Sequence, residues 1–315
     1  MDQIDKLASK YRYPRYMIER YLKLFGLNET KELLEANTKK IKKSIRIISI
    51  KIDPQVLISR MEKKGFRFSP ISWEPQGFYI EKEPYSIGAT SEYLQGFYFV
   101  QRAASMLPAI VLKPNKNDLI LDMCASPGGK LIQIADMINN EGCIIGLDLN
   151  RERIKSLRSN ISRCGIKNTL IYRMDAAEFP KSGIKVDKIL LDAPCTGEGI
   201  IPFDESRKTS RMYDDILLCS QIQLKLIKAA IKCLKKGGTI VYSTCSIAPE
   251  ENELVINTVL KENTVEIIDT GLSIGQPGLT EFFNKKVNNK LKKARRFYPH
   301  KTNTQGFFIC KLKKL

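Results

Sequence analysis

The stretch Leu119-Ile120-Leu121-Asp122-Met123-Cys124-Ala125-Ser126-Pro127-Gly128-Gly129-Lys130 decides the fold. An apolar strand runs into a carboxylate. A turn of small residues follows, and a helix is predicted from Lys130 to Ile138. Small residues and two glycines let a backbone approach a ligand, and the first amides of the next helix point at it. This is no phosphate-binding P-loop, because Leu131 follows Lys130 where that motif needs Ser or Thr. Nor is it the dinucleotide GxGxxG pattern. Outward from this stretch, strands and helices alternate. Strands are predicted at Cys143–Leu147, Thr169–Tyr172, Lys188–Leu191 and Thr239–Ser243, and helices at Arg151–Cys164, Ile216–Leu234 and Pro249–Leu260. Such alternation makes βαβ units, hence an α/β fold with a mostly parallel sheet covered on both faces. Ligands then bind beyond the carboxyl ends of the strands.

Upstream the texture differs. Residues 1–85 read as a compact α+β unit with a helix ending at Gly26, a strand at Ser44–Lys51 and a helix opened by Asp53-Pro54 with Val56, Leu57 and Met61 on one side. The Pro and Gly between 70 and 88 mark the boundary, with the second domain at 86–315. Composition narrows the class. The 315 residues carry a formal net charge of +18, which points to a polyanionic partner. That charge is uneven: residues 1–85 hold 18 Lys/Arg against 11 Asp/Glu, residues 86–284 hold 23 of each, and residues 285–315 hold 11 against none. The expectation is that both ends grip a nucleic-acid backbone around a charge-balanced pocket. No stretch reaches the ~18 uncharged apolar residues of a membrane helix. The first residues lack the apolar core of a signal peptide, so a cytoplasmic protein is expected. With one His and no CxxC pair among eight Cys, no metal site is expected.

The residues after each strand are the candidates for chemistry. Asp148 suits ribose hydroxyls, or caps the helix from Arg151. Asp175 could accept from an adenine amine, or cap a turn. Leu191-Asp192-Ala193-Pro194-Cys195-Thr196-Gly197 places a carboxylate and a thiol on one tight turn, and Tyr242-Ser243-Thr244-Cys245-Ser246 ends a neighbouring strand with a second thiol. Two such Cys could be a disulfide, a metal site or a nucleophile pair. The metal lacks further ligands, and a disulfide is disfavoured in a cytosolic protein. Cys143, Cys164, Cys219, Cys233 and Cys310 fall in strand or helix patterns and read as core. Tyr11, Tyr13, Tyr16 and Tyr21 could stack on bases, but their spacing fits helix core for most of them. Trp73 reads as packing, and His300 as a structural or RNA-contacting residue.

Taken together, Asp122–Lys130, Leu191–Gly197, Ser243–Ser246, Gln95–Gln101 with Ser105-Met106, and Arg296–His300 through Gly306–Phe308 resemble the Sun/Nop family of RNA cytosine-5 methyltransferases. The resemblance spans about residues 90–315. One departure is Gln305, where an acidic residue is expected. The resemblance implies a Rossmann-like class I methyltransferase with a mostly parallel seven-stranded sheet, preceded by a small α+β N-terminal RNA-binding module. It implies S-adenosylmethionine as cofactor, held by Cys124, Ala125, Ser126, Pro127, Gly128, Gly129 and Lys130, with Asp148 on the ribose, Arg153 nearby, Asp175 at adenine and Asp192 towards the methionine end. It implies Cys245 as the thiolate that adds to carbon 6 of cytosine, Cys195 as the group that helps release the methylated base, Asp192 as the group that protonates the ring, and Lys130 beside the base. The partner is RNA, with tRNA first and rRNA as the alternative, and the chain is expected to be a monomer. The high Ile and Lys content fits an archaeal source. A DNA cytosine methyltransferase would use the Pro-Cys thiol as nucleophile. A non-catalytic RNA-binding assembly factor of the same fold would bind cofactor without transferring methyl groups.

Overall fold

The computed structural model describes residues 2–315. Two helices open the chain, α1 (Gln3–Tyr11) and α2 (Arg15–Ala36). Gly26, at φ +71°, breaks the helical path inside α2, as the glycine stop predicted. The next segment holds β1 (Ser44–Ile47), α3 (Pro54–Glu62), β2 (Arg67–Ile71), β3 (Glu74–Lys82), α4 (Ser91–Leu94) and β4 (Tyr98–Val100). The four strands form one antiparallel sheet in the order β2-β3-β1-β4. Asp53 caps α3 by accepting from the Gln55 and Val56 amides. Leu57 and Met61 are buried, whereas Val56, expected on the same side, faces solvent.

The boundary expected at residue 85 falls inside this sheet, because β4 pairs with β1 along Ile45–Ile47. The N-terminal stretch is also two packing units rather than one. The α1–α2 hairpin builds a core of Leu7, Tyr11, Tyr13, Met17, Ile18, Tyr21, Leu33 and Leu34 against Ile201, Ile247 and Tyr298. Three of the four tyrosines are therefore core, and the fourth, Tyr16, donates to the Arg211 carbonyl. The small sheet has its own core around Ile45, Ile47, Leu57 and Met61. It docks through the fully buried Arg46, whose guanidinium reaches Asp136 at 2.8 Å and Glu74 at 3.4 Å.

After α5 (Leu107–Leu112) come β5 (Leu119–Asp122), α6 (Gly129–Met137), β6 (Cys143–Asp148), α7 (Arg151–Arg163), β7 (Thr169–Arg173), β8 (Val186–Asp192), α8 (Tyr213–Cys233), β9 (Leu234–Thr244) and α9 (Glu253–Leu260). The last third adds β10 (Val265–Ile268), β11 (Gln276–Pro277), a ribbon of β12 (Glu281–Phe282) and β13 (Lys285–Lys286), β14 (Arg295–Phe297), α10 (Pro299–Thr302) and β15 (Phe307–Lys314). β5 lies between β6 and β8, and the run β7-β6-β5-β8-β9 is parallel throughout. β15 inserts antiparallel beside β9, and β10 pairs with its far half. Those seven strands match the expected count. The sheet nevertheless has nine, because β14 pairs with the first half of β15 and β11 with β14. Side chains alternate across it. Ile189 and Leu191 of β8 join the core under α8 and α9, and Leu190 joins the core under α5, α6 and α7.

Candidate active site

The carboxyl ends of β5, β8 and β9 open into a cleft of about 790 Å³, within the size range of small-molecule sites. The turn after β5 forms one wall. Gly128 enters α6 at φ +114°, a conformation only glycine adopts without strain. Of the predicted turn residues, Cys124, Ala125, Ser126, Pro127, Gly129 and Lys130 line the cleft and Gly128 lies behind it. Arg153 also lines it and donates to the Ser126 carbonyl at 2.8 Å, tying α7 to the turn. Asp148 ends β6 almost fully buried. It is not the cap of α7, because Asn150 takes that place by accepting from the Glu152 and Arg153 amides. Asp148 Oδ1 accepts from the Asn150 amide, and Oδ2 lacks a hydrogen-bond donor, with Arg153 at 3.4 Å. A buried carboxylate oxygen without a donor, beside a glycine turn, fits a ligand bearing hydroxyl donors. Asp175 is engaged elsewhere. It caps the turn Ala176–Ser182, pairs with Lys225 at 3.2 Å and does not line the cleft. The Ala177 amide and Lys225 hold its carboxyl below the usual range.

The opposite wall carries Cys245, with Cys195 behind it and outside the lining. Cys195 and Cys245 lie with their sulfurs 3.2 Å apart, both free. That separation is far beyond the ~2.05 Å of a disulfide and fits an S–H donating to a thiolate. The two thiols are shifted in opposite directions. The hydrogen bond of Cys195 to Cys245, burial and the carboxylates of Glu251 and Asp192 push the Cys195 thiol well up. Cys245 is pulled below the ordinary thiol value by the Cys195 donor and by the charges of Lys130 and Arg102. Asp192 stands between the walls, accepting from Lys130 Nζ at 2.7 Å and from Ser243 Oγ at 2.7 Å. Lys130 also donates to Ser105 Oγ at 2.8 Å. Asp122, behind the turn, has its carboxyl raised to about 7 by burial and by the charge of Asp192.

Two features were not read from the sequence. The first is Glu251, fully buried, which accepts from the Thr196 amide at 2.9 Å, Thr196 Oγ1 at 2.6 Å, Gln223 Nε2 at 3.1 Å and Ser246 Oγ. One carboxylate thus fastens both cysteine loops. Gly199 adds a backbone tie, donating to the Cys245 carbonyl at 2.9 Å where a Cβ would collide with Gly306. The second is the cleft's charge. Lys43, Arg102, Lys130, Arg153 and Arg207 line it against Asp122 and Asp192, so the expected charge balance does not hold. The net zero of residues 86–284 was an average over a segment whose carboxylates lie largely elsewhere. Among the described residues no group of three His, Cys, Asp or Glu is placed to hold a metal, and no helix is long and apolar enough to cross a membrane.

Comparison with known proteins decides the family. A family model described as 16S rRNA methyltransferase RsmB/F matches residues 109–313, and one for the N-terminal domain of 16S rRNA methyltransferase RsmF matches residues 13–103. The chain belongs to the RsmB/F methyltransferase family. Within it, the chain is 41% identical over 313 residues to the human 28S rRNA (cytosine(4447)-C(5))-methyltransferase, covering 98% of this chain and 38% of that protein. It is 34% identical to the tRNA (cytosine(49)-C(5))-methyltransferase of Pyrococcus abyssi, covering 95% of each. A crystal structure of a methyltransferase homologue from Pyrococcus horikoshii superposes with a TM-score of 0.91 at 37% identity, covering all of both chains. The chain spans between 38% and 53% of the length of the eukaryotic RsmB/F relatives it matches.

Proposed function

We propose that this chain transfers a methyl group from S-adenosylmethionine to carbon 5 of a cytosine in RNA, through a covalent bond between Cys245 and the base. The observation that carries this reading is the thiol pair. Of two sulfurs 3.2 Å apart, Cys245 is the one whose hold on its proton is weakened, and Asp192 and Lys130 stand beside it. A cytosine carbon 5 is a poor nucleophile until a thiolate adds at carbon 6. Cys245 forms that carbon–sulfur bond while Asp192 directs a proton to the ring, so the ring's electron pair becomes available at carbon 5. When bound, S-adenosylmethionine would supply the methyl group from its sulfonium to carbon 5 and be left as the neutral thioether. Loss of the carbon-5 proton then expels the Cys245 thiolate, and Cys195 would assist release of the methylated base. The turn Cys124–Lys130, the free oxygen of Asp148 and Arg153 would hold the cofactor, without Asp175, whose carboxyl caps another turn and pairs with Lys225. The base must leave its stack to enter so narrow a site.

tRNA is the first candidate substrate, because a relative acting on tRNA matches over 95% of both chains. The 41% identity to an enzyme acting on 28S rRNA favours rRNA as the second reading. The test uses two variants and candidate RNAs supplied with cofactor. Cys195→Ala should accumulate a protein–RNA adduct that resists denaturing gels, and Cys245→Ala should form none. Bisulfite sequencing of the treated RNA should locate the new 5-methylcytosine. An adduct that persists in Cys245→Ala and is lost in Cys195→Ala would overturn the assignment of the nucleophile.

A further inference from the structure

We infer that Arg102, with Arg207 beside it, binds a phosphodiester of the nucleotide whose base enters the cleft. The inference rests on the reading of this site as one acting on RNA.

Five cations line the cleft. Four of them have carboxylate partners: Lys43 with Glu83 at 2.7 Å, Lys130 with Asp192 at 2.7 Å, Arg153 with Asp148 at 3.4 Å and Arg207 with Asp204 at 3.0 Å. Arg102 is different. Among the described residues its guanidinium has no ion pair and no side-chain hydrogen bond, although it borders the cleft. One face of it lies over the Phe203 ring, 4.7 Å from the centroid. A guanidinium held by its face keeps its N–H edge free, and that edge matches two oxygens of a phosphate. Two separate chain segments converge to make this place. Arg102 follows β4, while Phe203 and Arg207 belong to the loop after Cys195.

The location is set by the thiol. The charge of Arg102 reaches Cys245 and helps to lower it, and the charges of Cys245 and Asp204 act on Arg102 in turn. Arg102, Arg207 and Cys245 line the same cleft, so both arginines share it with the sulfur that would attack the base. Gln305 is neutral and lines the same cleft, so it brings no counter-charge. The methionine carboxylate of the cofactor is the other anion that could reach this edge.

The experiment separates the two. Binding of a fluorescent unmodified tRNA transcript to the full chain is measured across a salt series, and cofactor binding is measured by calorimetry, for wild type, Arg102→Gln and Arg102→Lys. Arg102→Gln should weaken RNA binding about tenfold, the size of one charged hydrogen-bonded contact. It should also flatten the slope of log affinity against log salt by about 0.7, the value for one single-strand phosphate. Arg102→Lys should regain the slope but not the full affinity, and cofactor affinity should be unchanged in both. An unchanged RNA slope in a folded Arg102→Gln protein overturns the inference. So does a loss confined to cofactor binding, which would assign Arg102 to the methionine carboxylate. Because the assay reads binding, a wild type that binds RNA in this way yet makes no 5-methylcytosine would sink the proposed reaction and leave this inference standing.

Discussion

The two walls of the cleft are built alike and charged differently. On the wall after β5, Asp122 and Asp192 stand against Lys130 and Arg153, with the buried Asp148 behind the lining. Facing it, Arg102 from the end of β4 and Arg207 from the loop after β8 line the cleft with Cys245, and the local carboxylates are turned to other work. Asp204 pairs with Arg207, and Glu251 is spent on Thr196, Ser246 and Gln223. Arg102 aside, both walls use the same device, a short loop leaving the carboxyl end of a parallel strand. The difference lies in which residues the loops carry. The wall that carries the carboxylates suits a cationic sulfonium cofactor, and the wall that carries unopposed arginine suits a polyanionic strand. Asp192 serves both, with one oxygen on Lys130 and the other on Ser243.

Asp192 is therefore where the comparison breaks most visibly. Asp192→Asn removes the charge that steadies Lys130 and the group that would pass a proton to the ring. Methyl transfer should fall on the order of 10²–10⁴-fold, the usual worth of a positioned acid or base. Single-turnover rates with radiolabelled cofactor measure it, and a fall of only a few-fold would remove Asp192 from the chemistry. Asp122 gives a subtler test on the first wall. Its carboxyl titrates near 7 in the folded protein, against 3.8 for an aspartate free in water. Between those values the folded chain holds a proton that the unfolded chain has released, so stability from this group falls as pH rises through that window. The melting temperature of wild type relative to Asp122→Asn should thus decline from pH 5 to pH 8. A constant difference would mean that Asp122 titrates normally. Glu198, raised to about 7 by burial, acts with the same sign in both proteins and drops out of the difference.

The walls were unequally legible in the sequence. The glycine turn, Asp148 and the two thiols stand out because each follows an apolar run that can only be a buried strand. Arg102 is a single cation between two apolar segments, and its significance is an absence of partners, visible only in three dimensions. Glu251 sits in the run Pro249-Glu250-Glu251-Asn252-Glu253, which reads as a solvated helix start, yet Glu251, Asn252 and Glu253 are fully buried. β15 was missed for the opposite reason. Lys311, Lys313 and Lys314 interrupt its apolar pattern. Lys311 can nevertheless lie in the sheet because its stem packs in the core and its ammonium reaches the Val111 carbonyl at 2.7 Å.

That last point also limits what the basic tail can do. Of its cations, Arg296 is buried against Glu253 at 2.7 Å, and Lys314 donates to the Ile231 and Leu234 carbonyls where α8 passes into β9. β15 runs antiparallel to β9, so Phe308 lies opposite Thr244 at the cleft edge and Lys313 opposite Thr239 towards the other end of the sheet. The exposed lysines of the ribbon and the turn after it are Lys285, Lys286, Lys290, Lys292 and Lys293, the last also donating to the Ile267 carbonyl at 3.5 Å. Phe283, at the turn of that ribbon, packs on Arg20 of α2, 5.1 Å from ring centroid to guanidinium, and so joins this region to the N-terminal hairpin. Neutralising those five lysines should weaken RNA binding and lower its salt slope, by at most about 0.7 for each phosphate that no longer meets a cation, while sparing cofactor affinity. Lys313→Gln, a change of the same kind at the opposite sheet edge, should leave the slope where it was. If both sets of substitutions lower it equally, the RNA wraps beyond the cleft edge, and the charge of the tail acts as a whole rather than by position.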